Sequence, residues 1–353
     1  MDMYNTYYML ESFKKDKPIN SFLRDTFFPT AASDIFTTEK VIVDYENNTD
    51  NKLAPGVVKG SVPVQRDSFV SKEYTAPLIA PDMSLSVDQL NKRTFGESLV
   101  SGMSGEERAL NYLLDDLAKL NRMITNTEEH MCASILTGNA FSVNQYLNGY
   151  SSKYQEFSID FYGEGNSSNQ DVYSTTAWST SSTAILSDIA AMCKMLKKKG
   201  LAADTVILGE SAADVFMRNE YIIKLLDNRR YQIIGSFEPE DVGAGVTHLG
   251  RINALGNMVD VYAYNATYTN AAGTDTYYIP TDYCIVTSKG MGRTAYGAIT
   301  QYEEGETDPT TYAEARVPHV VIDRNDNDRK LVLQSRPLPT PKRLHSAITA
   351  DVL

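Results

Sequence analysis

The run GEERALNYLLDDLAKLNRMITNTEEHMCASILT, residues 105–137, decides the fold class and sets the scale of the molecule. Leu110, Leu113, Leu114, Leu117, Leu120, Ile124, Met131 and Ile135 fall mostly three or four apart, the spacing of one helix face. Ser104 followed by Glu107 has the form of a capping box, and Gly138 stands where a helix-terminating glycine belongs. At 1.5 Å per residue such a helix is a rod roughly 50 Å long, nearly three times the mean for globular proteins. The apolar register is not held over enough heptads for a coiled coil. A spine crossing a flat subunit is the expectation.

Upstream of the rod nothing closes a core. Residues 1–50 read as an extended arm, with a local hydrophobic anchor at Phe22–Phe28 and a strand over Phe36–Tyr45. Residues 51–85 hold Pro55, Gly56, Gly60, Pro63, Pro77 and Pro81 between Val-rich pieces. Val57–Val64 and Phe69–Pro77 suggest a long twisted hairpin, which its prolines confine to a sheet edge or an excursion. Such a hairpin leaves edges unpaired unless other subunits cover it.

Downstream, residues 139–180 are polar, with one alternating strand at Tyr154–Tyr162. A helix follows over Ser182–Lys199, stopped by Gly200, then a buried strand Thr205–Leu208 and a helix Ser211–Leu226. Strands are expected near Val259–Tyr264, Thr276–Ile279 and Tyr283–Thr287, after a loop carrying Gly243 and Gly245. The last segment, 288–353, is β-rich with a polar loop at Asp323–Arg329. Helices packed on an antiparallel sheet make the chain α+β. No internal repeat is evident.

The bulk numbers exclude several functions. The chain has 353 residues, enough for more than one core, and a formal charge of -12. A surface so acidic gains nothing from counterion release, so sequence-independent binding to nucleic acid by the whole surface is not expected. Cys132, Cys193 and Cys284 are odd in number and far apart, which fits a reducing compartment and no disulfide framework. Met1–Pro18 lacks the apolar region of a secretory signal, and no apolar run of ~18 residues exists. A soluble, cytoplasmic chain without a membrane partner is the expectation.

Chemistry-bearing motifs are sparse. His130, His248, His319 and His345 share no helical turn, and His130 and Cys132, two apart on a helix, diverge by about 200°. Neither a metal nor a nucleotide cofactor is indicated, since HExxH, GxGxxG after a strand and GxxxxGK[ST] are all missing. Gly209-Glu210-Ser211-Ala212-Ala213 resembles the nucleophile elbow of a serine esterase, but Ala213 replaces the last glycine. Ser211 followed by Asp214 reads as an N-cap with an acidic third residue. Lys194 and Lys197–Lys199 complement the C-terminal dipole of their helix, with a patch facing DNA or a neighbouring subunit as the functional alternative. Glu303, Glu304, Glu306 and Asp308 form either a solvated loop or a partner for such lysines.

A family resemblance runs through the chain. Phe22-Leu23-Arg24, Phe27-Phe28 and Phe36-Thr37-Thr38-Glu39-Lys40-Val41 resemble the FLR…FF and FTTEKV segments of the lambda-type major capsid (major head) proteins. The match continues in order through Glu73-Tyr74-Thr75 with Pro77 and Pro81, Ala133–Gly138, and Leu226-Asp227 with Arg229-Arg230. It goes on through Gly292-Arg293-Thr294 with Tyr296-Gly297, Ala315-Arg316 with Pro318, and Gln334-Ser335 with Pro337-Leu338. Residues 139–180 and 231–250 depart from it.

The resemblance implies the Hong Kong 97-type (HK97-like) capsid fold. In those terms residues 1–50 would be an N-terminal arm and 51–85 the E-loop hairpin. Residues 86–180 would be a peripheral domain with spine helix 105–137, 181–285 an axial domain, and 286–353 a return to the peripheral domain. The implied function is a structural shell subunit, not an enzyme, assembled in the host bacterial cytoplasm into hexamers and pentamers of an icosahedral virion capsid. The implied partners are a separate scaffolding protein, a portal, a decoration protein and packaged double-stranded DNA. Lys–Asn cross-linking is not characteristic of this branch. Glu39, Lys40, Arg293 and Arg316 are the candidates for inter-subunit charge contacts. An encapsulin-like compartment enclosing a cargo enzyme is the alternative from another class.

Overall fold

A computed structural model describes residues 9, 21–46, 69–86, 105–146, 154–161, 172–179, 185–220, 222–223, 235–236, 239–243, 245–270, 273–303, 307–323 and 328–353. Its centre is the short run Thr205–Leu208 (β6), whose four residues are all buried. A strand apolar on both sides needs both faces covered, and here both are. Val206 and Leu208 enter one core and Ile207 the other.

β6 lies in a seven-stranded sheet with β7 (Gly235–Ser236), β8 (Glu240–Gly243), β9 (Val246–Ala254), β10 (Asn257–Tyr264), β13 (Tyr283–Thr287) and β20 (Ile348–Asp351). The order is β20-β13-β6-β10-β9-β7, with β8 also on β9; β10 runs parallel to β6 and β13 antiparallel. Helices α3 (Ile185–Lys198) and α4 (Glu210–Arg218) cover one face, where Ile189, Met192, Leu196 and Phe216 meet Val259 and Val261. Gly200, at φ 74, ends α3 in a Schellman motif: Leu201 N–H donates to Leu196 O at 3.1 Å and Gly200 N–H to Lys197 O at 3.0 Å.

The opposite face receives the arm helix α1 (Phe22–Phe27) and the far end of the rod, α2 (Gly105–Gly138). Leu23, Phe27, Phe28, Met131, Ile135 and Phe161 pack there with Ile207, Tyr264 and Ile285. The hairpin β4 (Ala140–Tyr146) and β5 (Tyr154–Asp160) follows the rod at once. The near half of α2 belongs to a third core, where Leu113, Leu117, Leu120 and Ile124 meet Leu331 and Leu333. Those leucines lie in the three-stranded sheet β17 (Val317–Asp323), β18 (Asp328–Gln334) and β3 (Asp82–Ser86). The rod therefore joins two cores that do not touch the same half of it.

Four two-stranded ladders complete the described residues. β1 (Lys40–Glu46) pairs with β2 (Phe69–Thr75), and β11 (Thr267–Thr269) with β12 (Asp275–Tyr277). β14 (Gly292–Tyr296) pairs with β19 (Pro337–Pro341), and β15 (Ile299–Tyr302) with β16 (Pro309–Tyr312). The prolines of β19 fall at every second residue, so the missing N–H groups all lie on one edge.

Several expectations are corrected. The rod ends one residue later than Gly138 suggested: Asn139 takes the left-handed conformation at φ 54, and its N–H donates to Ile135 O at 2.8 Å. Asn tolerates that conformation through its short polar side chain. The cap of α4 is Gly209, so Ser211 is the second helical residue and not the N-cap. A Cβ at Gly209 would fall 2.3 Å from Pro280 O, and in that tight approach Ala212 N–H donates to Thr281 O at 3.0 Å. α4 stops at Arg218, short of the expected Leu226.

The return strand of the expected hairpin pairs with β1, through a register from Lys40↔Thr75 to Glu46↔Phe69; Val57–Val64 and Ser104 lie outside the described residues. β20 completes the edge of β13, Tyr173 N–H donates to Thr349 O at 2.8 Å and Trp178 N–H to Val352 O at 2.7 Å. Residues 348–351 thus serve the backbone groups of the β13 edge, and residues 172–178 serve those of β20 and Val352 in turn.

Candidate functional site

Two adjacent glutamates on α2 gather three remote parts of the chain. Glu128 and Glu129 are buried, nearly three turns before the end of the rod. Glu129 acts as a cap for a helix that is not its own. Its Oε1 accepts the Leu23 N–H at 2.8 Å, its Oε2 accepts the Arg24 N–H at 3.1 Å, and Ser21 Oγ also donates to Oε2. Those donors open α1, where a helix start leaves its amides without internal partners. Tyr264 on β10 donates its hydroxyl to the same carboxylate at 2.8 Å.

Glu128 points to the C-terminal strands. Arg316 grips it with two bonds, Nη1 to Oε1 at 2.8 Å and Nη2 to Oε2 at 2.7 Å, and Arg24 Nη1 adds a third at 2.9 Å. Tyr296 donates to Oε1 at 3.0 Å. The rest of the Arg316 fork is used as well, on Asn121 Oδ1 at 3.2 Å and Ser335 Oγ at 2.8 Å. Both guanidiniums thus meet Glu128, Arg24 pairs in addition with the half-exposed Asp25 at 2.8 Å, and Glu129 is held by amide and hydroxyl donors.

Electrostatics fix the protonation of its members. Burial alone would push the Glu128 carboxyl up, but Arg316 and Arg24 prevail and hold it below its usual value. Burial, reinforced by the neighbouring carboxylates, pushes the Tyr264 and Tyr296 hydroxyls well up, so both remain donors. With these groups far from titrating near neutral pH, the arrangement suits a clasp and not proton transfer.

The four surface-charge candidates find partners within the chain. Arg316 is buried in this cluster. Arg293 Nη1 meets Asp34 Oδ1 at 3.3 Å, Arg336 reaches Glu39 at 2.9 Å, and Lys40 meets Glu73 across the β1–β2 ladder at 3.3 Å. Only Glu39 and Lys40 have side chains more than half exposed, at 56% and 61%. The clasp was missed in the sequence, although a signal existed: Glu128 falls four residues from both Ile124 and Cys132, on the buried stripe of the helix.

Among the described residues no group of three metal-ligating side chains assembles, and no helix is long and apolar enough to cross a membrane. Ser211 makes no hydrogen bond to a histidine among them.

Comparison with known proteins adds the rest. The fold is shared with a crystal structure of a prophage protein from E. coli CFT073 named as its capsid protein: TM-score 0.68, 16% identity, 99% of each chain covered. A phage-related protein from Bordetella bronchiseptica RB50 follows at a TM-score of 0.51 and 10% identity, over 97% of this chain and 95% of that one. The mature capsid of bacteriophage PhiM1 is similar at 0.47 and 10%, over 96% and 88%. No curated protein sequence matches. The family model for phage major capsid protein E matches residues 5–352. With nearly its whole length inside that model, and folded as the resemblance implied, this chain belongs to the phage major capsid protein E family, structural proteins of the virion shell.

Proposed function

We propose that copies of this chain close, as hexamers and pentamers, into an icosahedral shell around double-stranded DNA, each copy overlapping its neighbours through the arm and the β1–β2 ribbon. The observation that carries this is the ribbon itself. β1 and β2 pair only with each other among the described residues, and a two-stranded ribbon is marginal in water. Val41 and Val43 anchor it in the body, yet Ile42 between them is 57% exposed. A neighbour lying over the ribbon would give that face and those edges partners.

In this reading residues 1–50 are the arm, 51–85 the E-loop and 86–180 the peripheral domain built on the spine. The axial domain, 181–285, also takes in 172–178 and β20. Glu39 and Lys40, exposed at the root of the ribbon, are placed to meet a neighbour; Arg293 is half-buried and Arg316 serves the subunit's interior. A separate scaffolding protein and a portal complete the assembly, which takes place in the host bacterial cytoplasm. The chain carries out no catalysis; covalent labelling of Ser211 by a fluorophosphonate would contradict that.

The test is electron microscopy of the protein expressed alone and with its genomic neighbours. Closed shells containing DNA are expected. A monomer of 39.2 kDa under every condition would overturn the shell, and shells filled with a protein cargo in place of DNA would favour an encapsulin-like compartment.

A further inference from the structure

The two ends of the β9–β10 hairpin carry opposite chemistry, and the residue at its tip is strained as well as exposed. Leu255 begins the turn at φ 48, a conformation that large L side chains rarely adopt, and Gly256 follows at φ 94. Asn or Gly normally takes the first place in such a turn. The leucine makes no recompense by burial: it is 59% exposed, and Met258 two residues beyond Gly256 is 44% exposed.

The turn is held rigidly. Asn253 Oδ1 accepts the Gly256 N–H at 2.7 Å, Asn257 Nδ2 donates to Ala254 O at 3.0 Å, and Lys197 Nζ reaches Asn257 Oδ1 at 2.5 Å. Lys197 brings the C-terminal turn of α3 alongside, and with it the exposed Lys194 and Lys198. The tip is thus an apolar knob in a basic setting, on a chain whose net charge is -12.

At the other end of β9, the edge strand β8 is exposed throughout. It presents Glu240 and Asp241 beside Val242, which is 45% exposed. This is an acidic and apolar strip of complementary character. β8 pairs with β9 at Thr247, and the strand from there to Ala254 separates the two patches by roughly 23 Å. A rigid sheet cannot fold one onto the other, so a complementary partner must come from another copy.

We propose that the β9–β10 turn of one subunit seats on the β8 edge of the next copy, Leu255 against Val242, and Lys194 and Lys198 against Glu240 and Asp241. Different patches on the two partners make the contact heterologous, the kind that closes into rings. The inference rests on the shell reading and names the surfaces that the shell would use.

Leu255→Asn separates fold from assembly, because Asn relieves the strained backbone while removing the knob. The subunit's urea midpoint is expected to hold or rise, while the protein concentration needed for shells increases by at least about tenfold. Lys198→Glu and Glu240→Lys should each lower shell yield, and the double variant should recover it. If Leu255→Asn and Lys198→Glu assemble as the wild type does, the contact is wrong and the shell reading stands. Single losses without recovery in the double variant also overturn the pairing. A wild-type control that forms no shells with its genomic neighbours would remove the reading beneath both.

Discussion

Replacing Glu129 isolates what the clasp contributes. Its carboxylate takes four donors: the Leu23 and Arg24 amides, the Ser21 hydroxyl and the Tyr264 hydroxyl. Glu129→Ala leaves all four buried or half-buried without that partner, and each such bond is worth about 1 kcal/mol net. A loss of roughly 4 kcal/mol is therefore expected, within the range for breaking a buried charge contact. Glu129→Gln keeps one acceptor oxygen and so two of the four donors, while its NH2 group faces the others; about 2 kcal/mol should be lost. The assays are urea unfolding of the unassembled subunit and amide hydrogen exchange at Leu23 and Arg24. Exchange at these two amides should accelerate before the sheet amides of β6 and β13 do, since the arm loses its cap while the sheet stays paired. A Glu129→Ala subunit within about 1 kcal/mol of wild type, with Leu23 and Arg24 still protected, would show that the arm helix docks without the carboxylate.

Three further outcomes follow from the same contacts. Gly292→Ala would place a Cβ 2.2 Å from the Phe28 ring and 2.6 Å from Thr340 O; expulsion of Phe28 should cost about 1–3 kcal/mol in urea unfolding and expose residues 21–28 to protease. Arg316→Lys keeps the charge but loses the paired grip on Glu128, and a drop of about 2–4 kcal/mol is expected; an unchanged midpoint would refute the fork's role. The native Glu128 carboxyl lies below its ordinary 4.5, so its contribution is present above that value and is lost as pH falls through the lower native one. Accordingly the stability gap between wild type and Glu128→Gln should narrow as pH is lowered from 6 toward 3, and a constant gap would contradict the assignment.

Local periodicity explains what the sequence reveals. The rod, α3 with its glycine stop, and β6 are each written in one unbroken run of residues, because their burial is decided by one face or one short stretch. Partnership across long separations is not written that way. Nothing in Ile348–Asp351 announces that it completes the edge of β13, and nothing in Val57–Val64 shows that β2 takes β1 as its partner. At the rod's end a glycine and an asparagine stand side by side, either of which can take the left-handed position, and it falls on Asn139. The clasp was half-legible. Leu120, Ile124, Met131 and Ile135 trace the buried stripe, and the gap at Glu128 marks a charge where an apolar residue belongs. Only the fold supplies Arg24 and Arg316 to fill it.

The clasp also bears on why the arm can be so poor in core residues of its own. α1 has six residues, far too few to be stable alone in water. It is held by a carboxylate from the rod at its start and by Phe22, Leu23 and Phe27 against the sheet along its length. The arm helix is thus conditional on the rod and the sheet already being in place, while the seven-stranded and three-stranded sheets take no strand from the arm. Loss of the clasp should then free the arm and leave the body folded. The surfaces of the ribbon, the β9–β10 turn and the β8 edge would survive such a loss, so a clasp variant tests the arm's share of the subunit contacts apart from theirs.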